Sequence, residues 1–402
     1  MVKDLARRMV ALLAVAALAG CGPSLQQRSL EPGPLSARRL VDAAAAAGYL
    51  AREVIADIPA AARSGFEFRT FDYGDPLLAE LKRRYRLEEV VAPGGDEWTR
   101  QLLLKDWVAG RITNGAPTVE ARNALEILEL SAQGKKFYCS HFAITYLQCA
   151  QALGWQARKL GIDRLHGPDS LGSTHHGVAE VWSNRFSKWV VIDAQSNLHF
   201  EKDSVPLSAW EVRAEWLRNQ GRDVDHVVGV PPDRRLRNPA IVWWERRDED
   251  ETACYFWVYI SDNAVSWDEQ GSAGFIFPQD SANAGLTWYQ NDYDHKKSRL
   301  HTGYLNKLFR PTGRLEDAYW TVGLTEVAVD SAAAGKIFLS LESYCPNLTG
   351  YEVTIDGGSW EALAEGKQLA WSVGEGWNRL GLRTASRGAV RGAETSVGLL
   401  LE

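Results

Sequence analysis

The chain has 402 residues, 45% of them hydrophobic and 24% charged, a balance that excludes a disordered or fibrous protein, and a length that suggests two or three domains. Its 51 acidic and 45 basic residues give a net charge of −6, which argues against nucleic acid as a partner, because phosphate binding rests on basic surface. Five cysteines are too few for a disulfide scaffold in a chain this long.

Lys3, Arg7 and Arg8 precede an apolar run from Met9 to Ala19. That run is too short to span a bilayer as a mature helix, so residues 1–20 read as a signal peptide. It ends in Leu18-Ala19-Gly20-Cys21, which resembles the lipobox of bacterial lipoproteins. The resemblance implies that Cys21 becomes the lipidated N-terminal residue and anchors the protein in the cell envelope. Gly22 in place of an aspartate implies the outer membrane, with the protein facing the periplasm. The competing reading is a plain secretory signal with an incidental cysteine. Loss of the signal leaves 42 basic and 50 acidic residues, a net charge of −8. In that oxidising compartment Cys254 and Cys345, both in strand-like stretches, either pair or stay as two buried thiols.

Residues 21–64, dense in Ala, Pro, Gly and Ser, read as a tether plus an N-terminal helix. Helical signals follow: Asp75-Pro76 as cap and first position, Asp96 ahead of Trp98, Leu102, Leu103 and Trp107, then Ala121–Leu130. Phe142, Tyr146, Cys149 and Leu153 recur at helical spacing and Gly154 stands at a C-cap, so Cys139 opens that helix. Gly177–Trp182 and Trp189–Asp193 read as strands joined by a turn at 183–188. Pro231-Pro232 and Asn238-Pro239 mark a boundary near 235. Beyond it, alternating stretches such as Cys254–Ile260 and Tyr351–Ile355 predict a β-rich module over 236–325 and a β-sandwich module of immunoglobulin or fibronectin kind over 326–402. The fold class is therefore α+β, with a mixed domain over 65–235 followed by one or two β-sandwich modules. Of 16 tryptophans, 11 lie after residue 200, where they suit sandwich cores or, alternatively, platforms for a cell-wall glycan.

A thiol becomes a strong nucleophile only when ionised, and a cysteine at a helix N-terminus beside a histidine meets that need. The order Phe137-Tyr138-Cys139-Ser140-His141, then Leu153-Gly154, then His176-Gly177-Val178-Ala179-Glu180-Val181, then Trp189-Val190-Val191-Ile192-Asp193 resembles the transglutaminase-like superfamily, whose fold is papain-like. The resemblance spans roughly residues 65–230. It implies a catalytic triad of Cys139, His176 and Asp193. No metal or cofactor is expected, because the histidines are scattered and none sits with carboxylates at ligand spacing beyond the triad itself. Two departures stand beside the triad: Ala194-Gln195 follows the aspartate in place of the common Pro-Thr, and Gly177-Val178 replaces the frequent Ala-Trp.

Adjacent strand residues point to opposite faces, so only one of His175 and His176 can serve the cysteine; the Glu-Val spacing selects His176, with His175 as the alternative. The Cys139 N–H is the first expected oxyanion donor and Gln133, six residues upstream, a second. Glu180 shares the face of His176 but reads as structural. A register such as Trp182 opposite Trp189 makes His176 and Asp193 diagonal neighbours about 7–8 Å apart on one face, with the start of the Cys139 helix against that face.

The implied activity is acyl transfer from an amide in a protein or peptide substrate, as a peptidase or amidase rather than a cross-linking transglutaminase. The alternative is a noncatalytic envelope lipoprotein that binds polymer or protein partners through its cleft and β modules. The anchor has its own test: mass spectrometry of the protein from membranes is expected to find a lipidated Cys21 as N-terminus. A mature terminus elsewhere, or an unmodified Cys21, contradicts it.

Overall fold

The computed structural model describes residues 28–29, 35–66, 72–164, 176–230, 234–237, 251–261, 274–283, 308–363 and 367–402. Cys21, His175 and the Pro231-Pro232 and Asn238-Pro239 pairs of the expected boundary near 235 lie outside them. The protein is mixed α+β. One unit joins the described residues up to Ala61 with Thr321–Glu402; the other is Ala62–Trp320.

The chain enters through β1 (Arg28–Ser29), α1 (Ala37–Ala47) and β2 (Ala51–Asp57), all in the first unit. Ser36 caps α1 by accepting the Arg39 N–H, and Gly48 ends the helix at φ 100°, a left-handed position that suits glycine.

In the second unit, α2 (Pro76–Arg84), α3 (Leu87–Val91), α4 (Glu97–Arg111) and α5 (Ala124–Ala132) precede α6 (Cys139–Ala152), with short strands β3 (Thr113–Asn114) and β4 (Lys136–Phe137) between them. Asp75, Asp96 and Asn123 cap α2, α4 and α5 through backbone N–H groups. The apolar spacing of α6 predicts one buried stripe, but every residue from Ser140 to Gln151 is buried. The helix packs against strands as well as against α2, α4 and α5. Two of its polar side chains are bonded inside: Gln148 Oε1 accepts the Ala124 N–H at 2.7 Å and Thr145 Oγ1 donates to His141 O at 2.8 Å.

Next come β5 (Ala157–Asp163), β6 (His176–Ser183), β7 (Lys188–Ile192), β8 (Leu198–Lys202), β9 (Val205–Pro206), α7 (Ala209–Asn219), β10 (Asp225–Val228) and β11 (Arg234–Arg237). β12 (Trp257–Ser261), β13 (Gly274–Pro278), β14 (Leu308–Thr312) and α8 (Leu315–Ala318) complete the unit. The main sheet runs β14-β13-β12-β5-β6-β7, and a second runs β11-β10-β8-β9. This corrects the expected limits of 65–235 and the separate β-rich module of 236–325. β12 pairs with β5, setting Val258 opposite Ile162, and both side chains are buried in a core shared with Val178 and Val191.

One buried ion pair ties that sheet to its surroundings. Arg158 on β5 donates through Nε (2.9 Å) and a terminal nitrogen (2.6 Å) to Glu180 Oε2, and through the other nitrogen to Ala318 O at 2.6 Å. Glu180 Oε1 accepts from Ala209 N–H and Tyr319 OH. The guanidinium lies 4.2, 4.8 and 4.7 Å from the ring centres of Trp189, Tyr319 and Trp320. Glu180 thus has a structural task.

The first unit resumes with β15 (Glu326–Ala333), β16 (Lys336–Glu342), β17 (Leu348–Ile355), β18 (Glu361–Ala362), β19 (Gln368–Ser372), β20 (Gly376–Ser386) and β21 (Thr395–Leu401). Its sheets, β1-β15-β16-β19 and β18-β17-β20-β21-β2, contribute to one apolar core, an arrangement compatible with a β-sandwich. Of the tether and N-terminal helix expected over 21–64, the helix is α1, but the stretch after it is no tether, since β2 pairs with β21 and sets Val54 opposite Leu399. The alanines that suggested a linker are core: Ala43, Ala44 and Ala47 are buried on α1, small enough to let it pack closely on β15. Cys254 and Cys345 are both thiols. Trp257, Trp320 and Trp371 are buried, whereas Trp377 is 40% exposed.

Removing one partner of a buried ion pair leaves the other charge stranded. Glu180→Ala is therefore expected to lower the unfolding free energy by about 3–5 kcal/mol, read from urea denaturation. A change within the range of surface substitutions would deny the pair its structural part.

Candidate active site

Trp182 pairs with Trp189 and Ala179 with Ile192, the odd-sum register that keeps His176 and Asp193 on one face. His176 opens β6, and Asp193, one residue beyond β7, exchanges backbone hydrogen bonds with Leu198. His176 Nε2 lies 2.9 Å from Asp193 Oδ2, and both side chains are buried. Asp193 Oδ1 accepts the N–H groups of Gln195 (2.9 Å) and Ser196 (3.1 Å), so both carboxylate oxygens are held.

The start of α6 reaches the site through a close contact. Gly177 N–H donates to Cys139 Sγ at 3.3 Å, and a Cβ at Gly177 would lie 2.7 Å from Ser140 Oγ and 3.1 Å from Ser140 Cα. Only glycine fits without displacing the helix start. Strand alternation sets Gly177 on the face opposite His176, so α6 approaches from the Gly177 side. The expectation that it packs on the His176–Asp193 face is corrected: the sulfur meets the imidazole where β6 begins, at the end of the sheet.

Burial alone disfavours a charged His176. The Asp193 carboxylate, its hydrogen bond and the contacts with Cys139 outweigh that and hold the imidazole pKa well above its ordinary value. Burial likewise opposes charge on Asp193, yet His176 and the Ser196 N–H keep its pKa below the usual carboxylate value. With Nε2 given to Asp193, Nδ1 is the nitrogen left to serve the sulfur. The pair's contribution to stability follows from both directions. The His176 part is full below the ordinary imidazole range and lost as pH rises through its raised value. The Asp193 part is present above the ordinary carboxylate range and lost as pH falls through the lowered value. Cys149, on the same helix, is the contrast: burial pushes its thiol far up.

Other expected residues lie elsewhere. Gln133 ends α5 with an exposed side chain and joins none of the contacts around Cys139, so the expected second oxyanion donor is not brought to the site. His141 is buried on α6 against Phe137, and burial drops its pKa to about 4. His199 is buried too, 3.0 Å from Glu201 Oε1 through Nε2 and 3.3 Å from Lys105 Nζ through Nδ1. Lys105 escaped the sequence reading, although its position four residues after Gln101 on a helix buried through Trp98, Leu102 and Val108 puts a cation where an apolar residue belongs. Among the described residues, no group of three or more His, Cys, Asp and Glu is disposed to hold a metal ion. The chain matches no protein-family model and no curated protein.

Iodoacetamide at neutral pH is expected to label Cys139 faster than Cys149 by about tenfold or more, with the selectivity lost in His176→Ala. Gly177→Ala should slow the labelling too, because the added methyl pushes the start of α6 away. Peptide mapping reads both, and equal labelling of Cys139 and Cys149 in the wild type would refute an activated thiol.

Proposed function

We propose that this protein is a transglutaminase-like cysteine enzyme, anchored to the cell envelope through Cys21, that cleaves an amide bond in a protein or peptide. The observation that carries the reading is the linked set of Cys139 at the start of a buried helix, His176 in contact with its sulfur, and Asp193 2.9 Å from His176 Nε2. The chain order and the two strands that bear the histidine and the acid fit the superfamily pattern.

In this mechanism the imidazolium and the helix N-terminus keep Cys139 as thiolate. The sulfur attacks the carbonyl carbon, and the oxyanion that forms meets the N–H groups of the first turn of α6. Collapse breaks the C–N bond while His176 gives its proton to the leaving amine, and the acyl group stays on sulfur as a thioester. Water, deprotonated by the now neutral His176, attacks the thioester and returns the thiolate and the imidazolium. Asp193 keeps the imidazole oriented and supports its charge throughout.

The test offers a peptide library, with and without an added amine, to soluble protein lacking residues 1–21 and to its Cys139→Ala form. Hydrolysis that depends on Cys139 is expected. Amine incorporation would instead make the protein a transglutaminase, and silence in both forms would favour an envelope protein that binds through its cleft and β modules.

A further inference from the structure

Glu97, Gln101 and Lys105 stand four residues apart on α4 and form one polar row along the helix. Each reaches the segment that carries the candidate triad. Glu97 accepts the Asn184 N–H (2.8 Å) and Nδ2 (2.9 Å) in the turn between β6 and β7. Gln101 Nε2 donates to Trp182 O at 2.9 Å.

Lys105 goes further. Fully buried, it donates to Asn197 O (3.0 Å) and Gly229 O (2.9 Å) and lies 3.3 Å from His199 Nδ1. Its neighbour Asp106 accepts from Asn197 Nδ2 at 2.6 Å.

Asn197 is the pivot of the turn that holds the acid. Its φ is 53°, its carbonyl also accepts the Gly229 N–H at 3.0 Å, and Leu198 beside it exchanges hydrogen bonds of 2.9 and 2.8 Å with Asp193. Inside that closed loop, the Gln195 and Ser196 N–H groups fix Asp193 Oδ1. An ammonium in a core is costly unless its donors are all engaged. Here they are engaged by the carbonyls of Asn197, in the turn, and of Gly229, just after β10, and by His199 Nδ1.

We propose that Lys105 and Asp106 clamp the turn at Asn197 and are positioning residues for Asp193, holding its Oδ2 on the imidazole of His176. The proposal rests on the catalytic reading above. The groups facing Lys105 are Asp106 on α4, Asp193 in the turn, and His199 and Glu201 on β8. Burial draws the ammonium down to about 7, against the pull of Asp106, Asp193 and Glu201.

The test follows the His176 imidazole by NMR titration in the full-length protein. Lys105→Met is expected to lower its midpoint by about one pH unit, since a carboxylate that drifts from the ring supports the imidazolium less. Loss of a nearby cation acting only through space would raise the midpoint, and a merely structural lysine would leave it where it is. Either of those results overturns the clamp. Should Lys105→Met not fold, Asp106→Ala and Asp106→Asn decide, being exposed changes that both remove the charge while only the alanine removes the second tie: a midpoint lower in the alanine form than in the asparagine form supports the clamp, and equal midpoints overturn it. Cys139 alkylation in the same samples keeps the two readings apart. Wild-type Cys139 reacting no faster than in His176→Ala defeats the catalytic reading, whatever the His176 titration shows.

Discussion

The pairing of Trp182 with Trp189 across the β6–β7 hairpin puts His176 and Asp193 on one sheet face, and a slip of a single residue would send one of them to the other side. The register is held by more than its own ladder. Gln101 binds the Trp182 carbonyl, Glu97 binds the turn residue Asn184, and Trp189 Nε1 donates to Trp320 O at 2.9 Å. The two indoles meet edge to face at 5.8 Å across the pair. These contacts come from α4 and from the segment at Trp320, so the register depends on tertiary packing as well as on the hairpin turn.

Three sets of buried charge lie in or beside this sheet, each with an opposite charge and hydrogen bonds at hand. Arg158 and Glu180 share five bonds with each other and their surroundings, His176 and Asp193 lie within 2.9 Å, and Lys105 sits near Glu201 through His199. Such pairs return little net stability, because desolvation cancels much of their attraction. What they secure is uniqueness of arrangement: a slipped strand would leave a bare charge in the core. The glutamate of β6 therefore works on the register that the histidine of the same strand needs, which accounts for their spacing without giving Glu180 any part in the chemistry.

The sequence made the local features near the candidate site readable. The helix opened by Cys139 and the strands on either side of 183–188 follow from periodicity and turn chemistry and appear in the fold, and the Trp182–Trp189 pairing offered as one possible register is the one found. Long-range partnership was not readable in the same way. Nothing in the spacing of Ala43, Ala44, Ala47 and Val54 says that they cover strands more than 250 residues further on, and alanine-rich sequence looks alike in a linker and in a tightly packed helix. The extension of the sheet through β12 was hidden for a related reason: an edge strand can be paired by any later alternating segment. Gln133 failed as an oxyanion donor because distance along the chain carries no direction. It ends a helix whose terminus turns its side chain to solvent.

Gly177 and Val178, which stand where the resemblance would place Ala and Trp, have a common physical basis. Gly177 and Val178 lie on opposite faces of β6, and each answers to what covers its own face. On one side Ser140 comes so near that the space for a Cβ is already taken, and the same approach lets the Gly177 N–H reach the sulfur. On the other, Val178 fits a closed apolar cluster with Leu160, Ile162 and Val191, where the larger indole would overfill the core. The smaller pair thus belongs to a strand gripped tightly from both sides. On the proposed reading, a Cys139 set by backbone contacts of this kind has little freedom to adjust to a substrate, so selectivity would come from elements further from the sulfur, such as the loops and exposed side chains around the end of the sheet.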